Sequence, residues 1–464
     1  MSIGLRLTAS QHATLRDHLF PGDGNEAVAV ALCGRRAAGP RQWLVVRKIV
    51  PIAYEQCSVR TPDRVTWSTE TLMPLLDEAA QRDYGVLKIH SHPGGFPEFS
   101  ESDDASDVDL FDGVHGCIDG EKPHASAVML PGGKIFGRAV HVGNAFEQLH
   151  VVSVVGDDLH FWYDKQSVEP PREFTRRHAQ VFGRGTVEKL KHLRVAVIGC
   201  SGTGSPLIVQ LARLGVGMLL LVDPDVVEEK NLNRIYGATF DDAELRRAKV
   251  DVLARTVRNM GLGTSVLPIQ KDLFDSDVVR LVAGCDMVFG CMDSVEGRHL
   301  LNRLTTFYLL PYFDLGVKLE SDGMGNVDYV GGVVHYIQPG GSSLLSRGVY
   351  SLDEVHAESL RRTDPVAYAE QRRSRYITGV SEDRPAVISV NTQVASMAVN
   401  EFLARIHPFR DDPNGDFAVH RLIISRGELY REPDGPPCNL LMKYVGRGDM
   451  NPLLDLPSLS SNMG

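Results

Sequence analysis

Apolar positions in the first third of the chain fall in short runs: Val28–Cys33, Trp43–Val50, Val86–His90 and Ala125–Leu130. Runs this short, bounded by polar or glycine-containing stretches, predict strands. Thr71–Gln81 and Ser102–Leu110 carry helical patterns, so residues 1–150 read as an α+β domain. The charged stretch Asp164–Arg177, with Pro170 and Pro171, reads as a linker, assigned to 151–176. From Leu193 the rhythm becomes strand–helix–strand. Val195–Ile198 is a continuous apolar run, as in a strand buried on both faces. Ser205–Leu214 predicts a helix stopping at Gly215, followed by a strand at Met218–Val222. Asp241–Met260 is one long amphipathic pattern ending at Gly261. Strands are expected at Ser265–Gln270 and Met287–Gly290, then a helix at Ser294–Leu309, antiparallel strands around Val330–Gln338 and a late helix at Val390–Ile406. Such alternation predicts an α/β chain whose second part, 177–445, is a Rossmann-like parallel sheet, with 446–464 as a C-terminal tail.

Composition changes this picture little. Of 464 residues, 43% are hydrophobic and 23% charged, the balance of a globular protein, and a formal net charge of -10 argues against bulk binding to nucleic acid or anionic membranes. No apolar stretch is long enough to span a bilayer, and Met1–Gln11 lacks a signal-peptide core. The cysteines, 7 in number and widely spaced, fit a reducing compartment, so a cytoplasmic protein is expected.

His90-Ser91-His92-Pro93 is followed by Ser100-Glu101-Ser102-Asp103. If Val86–His90 is a strand, His90 and His92 point to one face and can share a metal. Asp103 supplies a third, anionic ligand. Three protein ligands leave a position for water, the arrangement of catalytic zinc. The chemistry also needs a general base. Glu26, at the start of the strand run, is the candidate, with Glu55, Glu70 and Glu78 also upstream.

These residues resemble the signature of the JAB/JAMM family of zinc deubiquitinating peptidases, over about 1–150. The resemblance implies a zinc isopeptidase or processing peptidase acting after the C-terminal glycine of a ubiquitin-like protein. It favours Glu26 as the base, because Glu26-Ala27-Val28-Ala29-Val30-Ala31-Leu32-Cys33-Gly34 is similar to the family's early strand. It also implies that Ser100 stabilises the tetrahedral intermediate.

A second motif, Gly199-Cys200-Ser201-Gly202-Thr203-Gly204-Ser205, lies between a buried strand and a helix, where backbone N–H groups and the helix N-terminus favour phosphate. Asp223 ends the next strand, where a carboxylate meets ribose. Those two features alone also fit an NAD-dependent oxidoreductase. Arg234, in Asn231-Leu232-Asn233-Arg234, and Lys249 are cations better suited to a triphosphate under attack. Asp293, after the strand Met287–Gly290, can hold Mg²⁺, and Arg298 follows it.

Together the glycine loop, Asp223-Pro224-Asp225-Val226-Val227-Glu228, Asn231 to Arg234, Lys249, Asp293 and Arg298 resemble the ThiF/MoeB-type adenylation domain of ubiquitin-activating enzymes, over roughly 175–445. The resemblance implies ATP·Mg²⁺ as cofactor and adenylation of a partner's C-terminal glycine, the partner being a ubiquitin-like or sulfur-carrier protein. It further implies a homodimer in which Arg177 reaches the neighbouring site. With no clear thioester cysteine, the acceptor of the acyl group is a separate conjugating enzyme or another nucleophile. The nucleotide would contact Gly199, Ser201, Gly202, Gly204, Asp223, Asn231, Arg234, Lys249 and Asp293.

Two departures stand out. Ser201 replaces a usual glycine. Where relatives carry paired cysteines for a structural zinc, this chain has Ser343, Ser346, Cys438 and Leu441, so no zinc is expected in this domain. Cys200, Cys285 and Cys291 are expected in the core. Cys438, after Gly435-Pro436-Pro437, is expected to be exposed and is the candidate thioester cysteine.

Overall fold

The computed structural model describes residues 2–37, 39, 41–118, 120–164, 172–322, 324–373 and 386–459. The chain divides into two compact units. The first is Met1–Ser167 with Phe307–Leu309 and Tyr444–Met450; the second comprises the other residues. Among the described residues no helix is long and apolar enough to cross a membrane.

The first unit runs β1 (Ser2–Thr8), α1 (Ala9–Leu19), β2 (Val28–Arg36), β3 (Arg41–Pro51), β4 (Cys57–Thr61), β5 (Arg64–Trp67), α2 (Met73–Arg82), β6 (Gly85–Ser91), α3 (Glu101–Cys117), β7 (His124–Met129), β8 (Ile135–Val140), β9 (Phe146–Gln148), β10 (Val151–Val155) and β11 (Leu159–Tyr163). Nine strands form one mixed sheet in the order β11-β10-β1-β3-β2-β6-β7-β8-β9. The near-continuous apolar run of β2 has a direct cause: the strand is buried on both faces. Ala29, Ala31 and Cys33 pack with Leu15 and Leu19 of α1. Val28, Val30 and Leu32 pack on the other face with Leu75 of α2 and with Phe111 and Val114 of α3. β6 obeys the same two-residue period. Leu87 and Ile89 face the α1 side, which leaves Lys88 and His90 on the α3 side.

The expected linker needs correction. Residues 151–163 are β10 and β11, because Val151–Val155 pairs in parallel with β1 and its apolar side chains are buried. Pro170 and Pro171 lie outside the described residues. The expected helix from Ser102 to Leu110 extends from Glu101 to Cys117. The tail at 446–464 is not a free extension: Tyr444–Met450 counts with the first unit, and Leu453, Leu454 and Leu459 are buried.

The second unit runs α4 (Arg176–His192), β12 (Arg194–Ile198), α5 (Gly204–Leu214), β13 (Met218–Val222), α6 (Phe240–Glu244), α7 (Lys249–Met260), β14 (Ser265–Ile269), α8 (Ser276–Ala283), β15 (Met287–Gly290), α9 (Val295–Tyr308), β16 (Tyr312–Ser321), β17 (Val327–Ile337), α10 (Leu352–Thr363), α11 (Pro365–Arg373), α12 (Ile388–Ile406), β18 (Val419–Ile423) and β19 (Glu428–Glu432). Its sheet has the order β14-β13-β12-β15-β16-β17-β18-β19. The first five of these strands are parallel and β17 to β19 add antiparallel pairs. β13 lies on one side of β12 and β15 on the other, so the order in which strands are added reverses at β12 and opens a crevice at the carboxyl ends of these strands.

The single helix expected over 241–260 is two helices. Val226 forms a bridge with Ala248, and Val227 N donates to Arg247 O at 2.8 Å. The backbone of 247 and 248 is thus committed to a strand-like pairing, and Arg246 takes a left-handed φ of 46°. The break has a consequence for the site: Lys249 becomes the first residue of α7, beside Asp225.

Candidate active sites

In the first unit, Val28 of β2 is registered against His90 of β6. Beyond that pair Ser91 N donates to Ala27 O and Ala27 N donates to Ser91 Oγ, both at 3.0 Å. This double contact brings Glu26 to the end of β6, where His92 follows. His92 Nε2 lies 3.1 Å from His90 Nε2, 3.4 Å from Asp103 Oδ2 and 4.0 Å from Glu26 Oε1. His90 Nε2 is 2.9 Å from Asp103 Oδ1. All four side chains are buried. Ligand atoms of Glu26, His90 and His92 fall within 4.8 Å of one another. Of the rival carboxylates, Glu78 pairs with Lys48 at the surface.

The donor set suits a cation. His92 Nδ1 is 2.8 Å from Phe96 O, which can only accept, so Nδ1 carries the hydrogen and Nε2 of the neutral ring is a bare lone pair. That lone pair faces a second imidazole nitrogen and two carboxylates. Burial raises the Glu26 carboxyl to about 7. Burial pushes Asp103 upward too, but its hydrogen bonds with His90 and His92 outweigh this and hold it well below the usual carboxylate range.

Ser100 stands at the N-cap of α3. Its hydroxyl donates to Asp103 Oδ2 at 2.7 Å, its backbone N–H donates to the same oxygen at 2.8 Å, and Asp103 N donates back to Ser100 Oγ at 3.2 Å. This capping box aims the aspartate at the two histidines. One turn further along α3, Asp107 accepts from Lys88 Nζ at 2.7 Å and from Arg138 Nη2 at 2.7 Å. Sequence reasoning missed this pair of buried contacts; the spacings of 88 to 90 on a strand and 103 to 107 on a helix were its only signal.

In the second unit a cavity of about 1050 Å³ occupies the crevice. Gly199, Ser201, Gly202, Asp223, Asn231, Arg234, Lys249 and Asp293 all line it. Gly199 leaves β12 with φ 94°, and a Cβ on Gly204 would sit 1.9 Å from Gly199 O. Gly204 is therefore required by the loop's own folding and not by approach to a ligand. Cys200 N donates to Asp223 Oδ2 at 2.7 Å and Asp225 N to Asp223 Oδ1 at 2.9 Å, so Asp223 also organises the loop. Burial raises its carboxyl above the ordinary value. Asn231 Oδ1 accepts from Glu228 N at 3.1 Å, which shapes the turn carrying Arg234. Ser205 Oγ joins that turn to the loop, donating to Arg234 O at 3.2 Å and accepting from Tyr236 N at 3.1 Å. Lys249 Nζ meets Asp225 Oδ2 at 2.7 Å.

Residues unforeseen from sequence also line the cavity, among them Phe274, Glu358 and Arg362. Glu358 of α10 accepts from Ser294 Oγ at 2.9 Å and Glu296 N at 2.8 Å, and Arg362 pairs with Glu296 at 2.8 Å. Nothing local marks residues so distant in sequence as neighbours of Asp293. Arg177 is exposed on α4 and is not among the residues lining this cavity. Arg298 is largely buried and ion-paired to Asp314. His299 is packed against Tyr350, with Nδ1 3.1 Å from the hydroxyl.

Cys438 is buried, contrary to expectation: its N–H donates to Gly341 O at 3.0 Å, which folds the Pro436-Pro437 turn inward. Cys200 and Cys285 are in the core as expected, and Cys291 is partly buried. At the Ser343–Ser346 turn, Ser343 N donates to Ser346 Oγ at 2.9 Å and Ser346 N to Ser343 Oγ at 3.2 Å. Beside it Arg347 Nη2 pairs with Asp434 Oδ1 at 2.8 Å and Arg347 Nε donates to Ser342 Oγ at 2.7 Å.

Fold and sites define a two-part α/β protein: a mixed-sheet unit with a buried His/His/carboxylate cluster, and a parallel-sheet unit with a glycine loop at its switch point. The chain belongs to the ThiF family, whose profile matches residues 175–429, and the profile of prokaryotic homologs of the JAB domain matches residues 8–139. It is 38% identical over 123 residues to the SAMP-activating enzyme E1 of Haloferax volcanii, covering 26% of this chain and 45% of the relative. It is 34% identical over 116 residues to the adenylyltransferase and sulfurtransferase MOCS3 of Xenopus laevis, covering 25% of each. The chain thus spans less than half the length of these curated relatives. A crystal structure of E. coli MccB with MccA-N7isoASN aligns with TM-score 0.46 and 19% identity, over 59% of this chain and 75% of that one.

Proposed function

We propose that the second unit adenylates the C-terminal glycine of a ubiquitin-like or sulfur-carrier protein with ATP and Mg²⁺. The observation that carries this reading is the convergence of the glycine loop, Asp223, Arg234, Lys249 and Asp293 on one cavity at the β12/β15 crevice. The names of the relatives support it. The loop amides and α5 cradle phosphate, Asp223 meets the ribose, and Arg234 and Lys249 neutralise charge that develops on the triphosphate. Asp293 would hold Mg²⁺, which would supply neutralisation of the triphosphate's charge. The partner's carboxylate oxygen attacks the α-phosphorus and pyrophosphate leaves. In this reading the enzyme is a cytoplasmic homodimer, Arg177 serves the neighbouring chain's site, and the acyl group passes to a separate conjugating enzyme. An NAD-linked oxidoreductase is disfavoured by the cations grouped at the loop and by the packing of His299. ATP–pyrophosphate exchange with the purified chain and small proteins ending in glycine tests the proposal; exchange absent with every partner, together with tight NAD binding, would reject it.

The first unit supports a second activity, cleavage after that glycine. His90, His92 and Asp103 would hold zinc, which supplies Lewis-acid activation of water and of the scissile carbonyl. Glu26 takes and returns the proton, its carboxyl being raised to about 7 by burial. Ser100 orients Asp103, and by the family resemblance it would stabilise the tetrahedral intermediate. Metal analysis of the protein and of His92→Ala tests the ligand set; equal zinc in both would reject it.

A further inference from the structure

Among the cations lining the cavity of the second unit that the nucleotide reading leaves unused is one held by a buried carboxylate. Arg298, on α9, lies in the lining beyond Asp293, next to Leu315, Gly316 and Val317 of β16. Its Nε is 3.0 Å from Asp314 Oδ1. The same oxygen accepts from Tyr312 OH at 2.6 Å. Asp314 is 1% exposed, and its Oδ2 is buried without a hydrogen-bond partner among the described residues. Gly316 lies beside the guanidinium: a Cβ there would be in ordinary contact, 3.5 Å from Arg298 Nη2.

Such a side chain is expensive to hold in place. Burying an arginine and a carboxylate costs several kcal/mol per ion unless the geometry is good and the remaining donors are used. Nε of Arg298 is engaged by Asp314, and among the described residues its terminal nitrogens make no hydrogen bond, which leaves their donors for something else. Arg234 and Lys249 stand with the glycine loop and with β13, on one side of the crevice; Arg298 follows β15, on the other. The triphosphate repels a second anion, so an incoming carboxylate needs a cation of its own, set apart from the phosphate cluster. A planar guanidinium offers a carboxylate paired N–H donors.

We infer that Arg298 is the binding residue for the carboxylate end of the acyl substrate and that Asp314, fixed by Tyr312, is its positioning residue. The inference rests on the adenylation reading and adds to it where the second reactant sits.

The test uses the full chain, Mg²⁺ and a non-hydrolysable ATP analogue. Calorimetry measures affinity for the analogue alone. Fluorescence anisotropy then measures a labelled synthetic peptide ending in Gly-Gly, with a free carboxylate and with an amide. The unaltered protein should prefer the carboxylate by about tenfold. Asp314→Asn and Arg298→Lys should cut that preference to less than about threefold while analogue affinity stays within about twofold. Arg298→Lys retains a charge in the cavity, so it keeps the test open if Asp314→Asn fails to fold. If the analogue binds but the unaltered protein shows no preference, the carboxylate subsite is overturned. Preference surviving in Arg298→Lys overturns Arg298 as its fork, and preference surviving in Asp314→Asn overturns the positioning role. If Asp314→Asn weakens analogue and both peptides equally, Asp314 is structural only. If the analogue itself fails to bind, the adenylation reading falls, a result distinct from the others.

Discussion

Replacing Asp107 by asparagine tests how the helix that carries Asp103 to the histidine cluster of the first unit is held. Asp107 is fully buried and faces Lys88 Nζ and Arg138 Nη2, each at 2.7 Å, with side chains only 4% and 5% exposed. Asparagine keeps the shape and deletes the charge, leaving Lys88 without its carboxylate and Arg138 with Asp104 alone. Removing one partner of a buried pair costs about 3–5 kcal/mol. By contrast Glu78→Gln breaks an exposed pair, 3.2 Å long with side chains 51% and 36% exposed, and should cost less than about 1 kcal/mol. All tryptophans, 3 in number, lie in the first unit at Trp43, Trp67 and Trp162, so their fluorescence follows its unfolding. With a urea slope of roughly 2 kcal/mol/M, the midpoint should fall by about 1.5–2.5 M in Asp107→Asn. Burial pushes the Asp107 carboxyl up, but Lys88 and Arg138 outweigh it and hold it below the ordinary value. A depressed carboxyl stabilises fully above its unfolded pKa, and that contribution is lost as pH falls through the folded value. The gap between the two proteins should therefore be constant near neutrality and shrink below about pH 4. A loss under about 1 kcal/mol at neutral pH, or one no larger than for Glu78→Gln, refutes the argument.

Further outcomes follow from the same geometry. Glu26→Gln should keep its zinc and lose peptidase turnover by at least about a hundredfold, as expected for a lost general base; normal cleavage would transfer the role to another carboxylate. Gly204→Ala would put a methyl 1.9 Å from Gly199 O, so nucleotide affinity measured by calorimetry should drop by about tenfold or more, and near-normal binding would show that the loop can open. Asp434→Ala removes the partner of Arg347 and should lower the stability of the second unit by about 2 kcal/mol in circular-dichroism melts, with zinc content unchanged. Mixing Arg177→Ala with Asp293→Ala should partly restore pyrophosphate exchange if Arg177 acts across a dimer; no recovery despite demonstrated subunit exchange would place it elsewhere.

Much of the second unit was legible because β12, β13 and β15 are buried on both faces. Met218–Val222 and Met287–Gly290 coincide with β13 and β15, and glycine stops mark the ends of α5 and α7. The failures share a cause. Over 241–260 the amphipathic period continued unbroken, yet the chain kinks because residues 247 and 248 pair with residues far upstream. β1, β10 and β11 were missed since their pairings are remote in sequence. Cys438 was misjudged because a proline-rich approach resembles a surface loop until its N–H is seen bonded to Gly341 O.

The linear order of residue types was sufficient for the two-domain plan, the His90-x-His92 and Asp103 spacing, and the glycine loop with its following aspartate. These are local: strand alternation, helix capping and the steric freedom of glycine act within a few residues. Only the tertiary structure decided that Glu26 reaches His92, that Lys88, Asp107 and Arg138 form one buried ion group, and that α10 and Arg298 border the cavity of the second unit. Those contacts depend on strand order and helix placement, which are set by the packing of the whole unit and leave no trace in any short window of sequence.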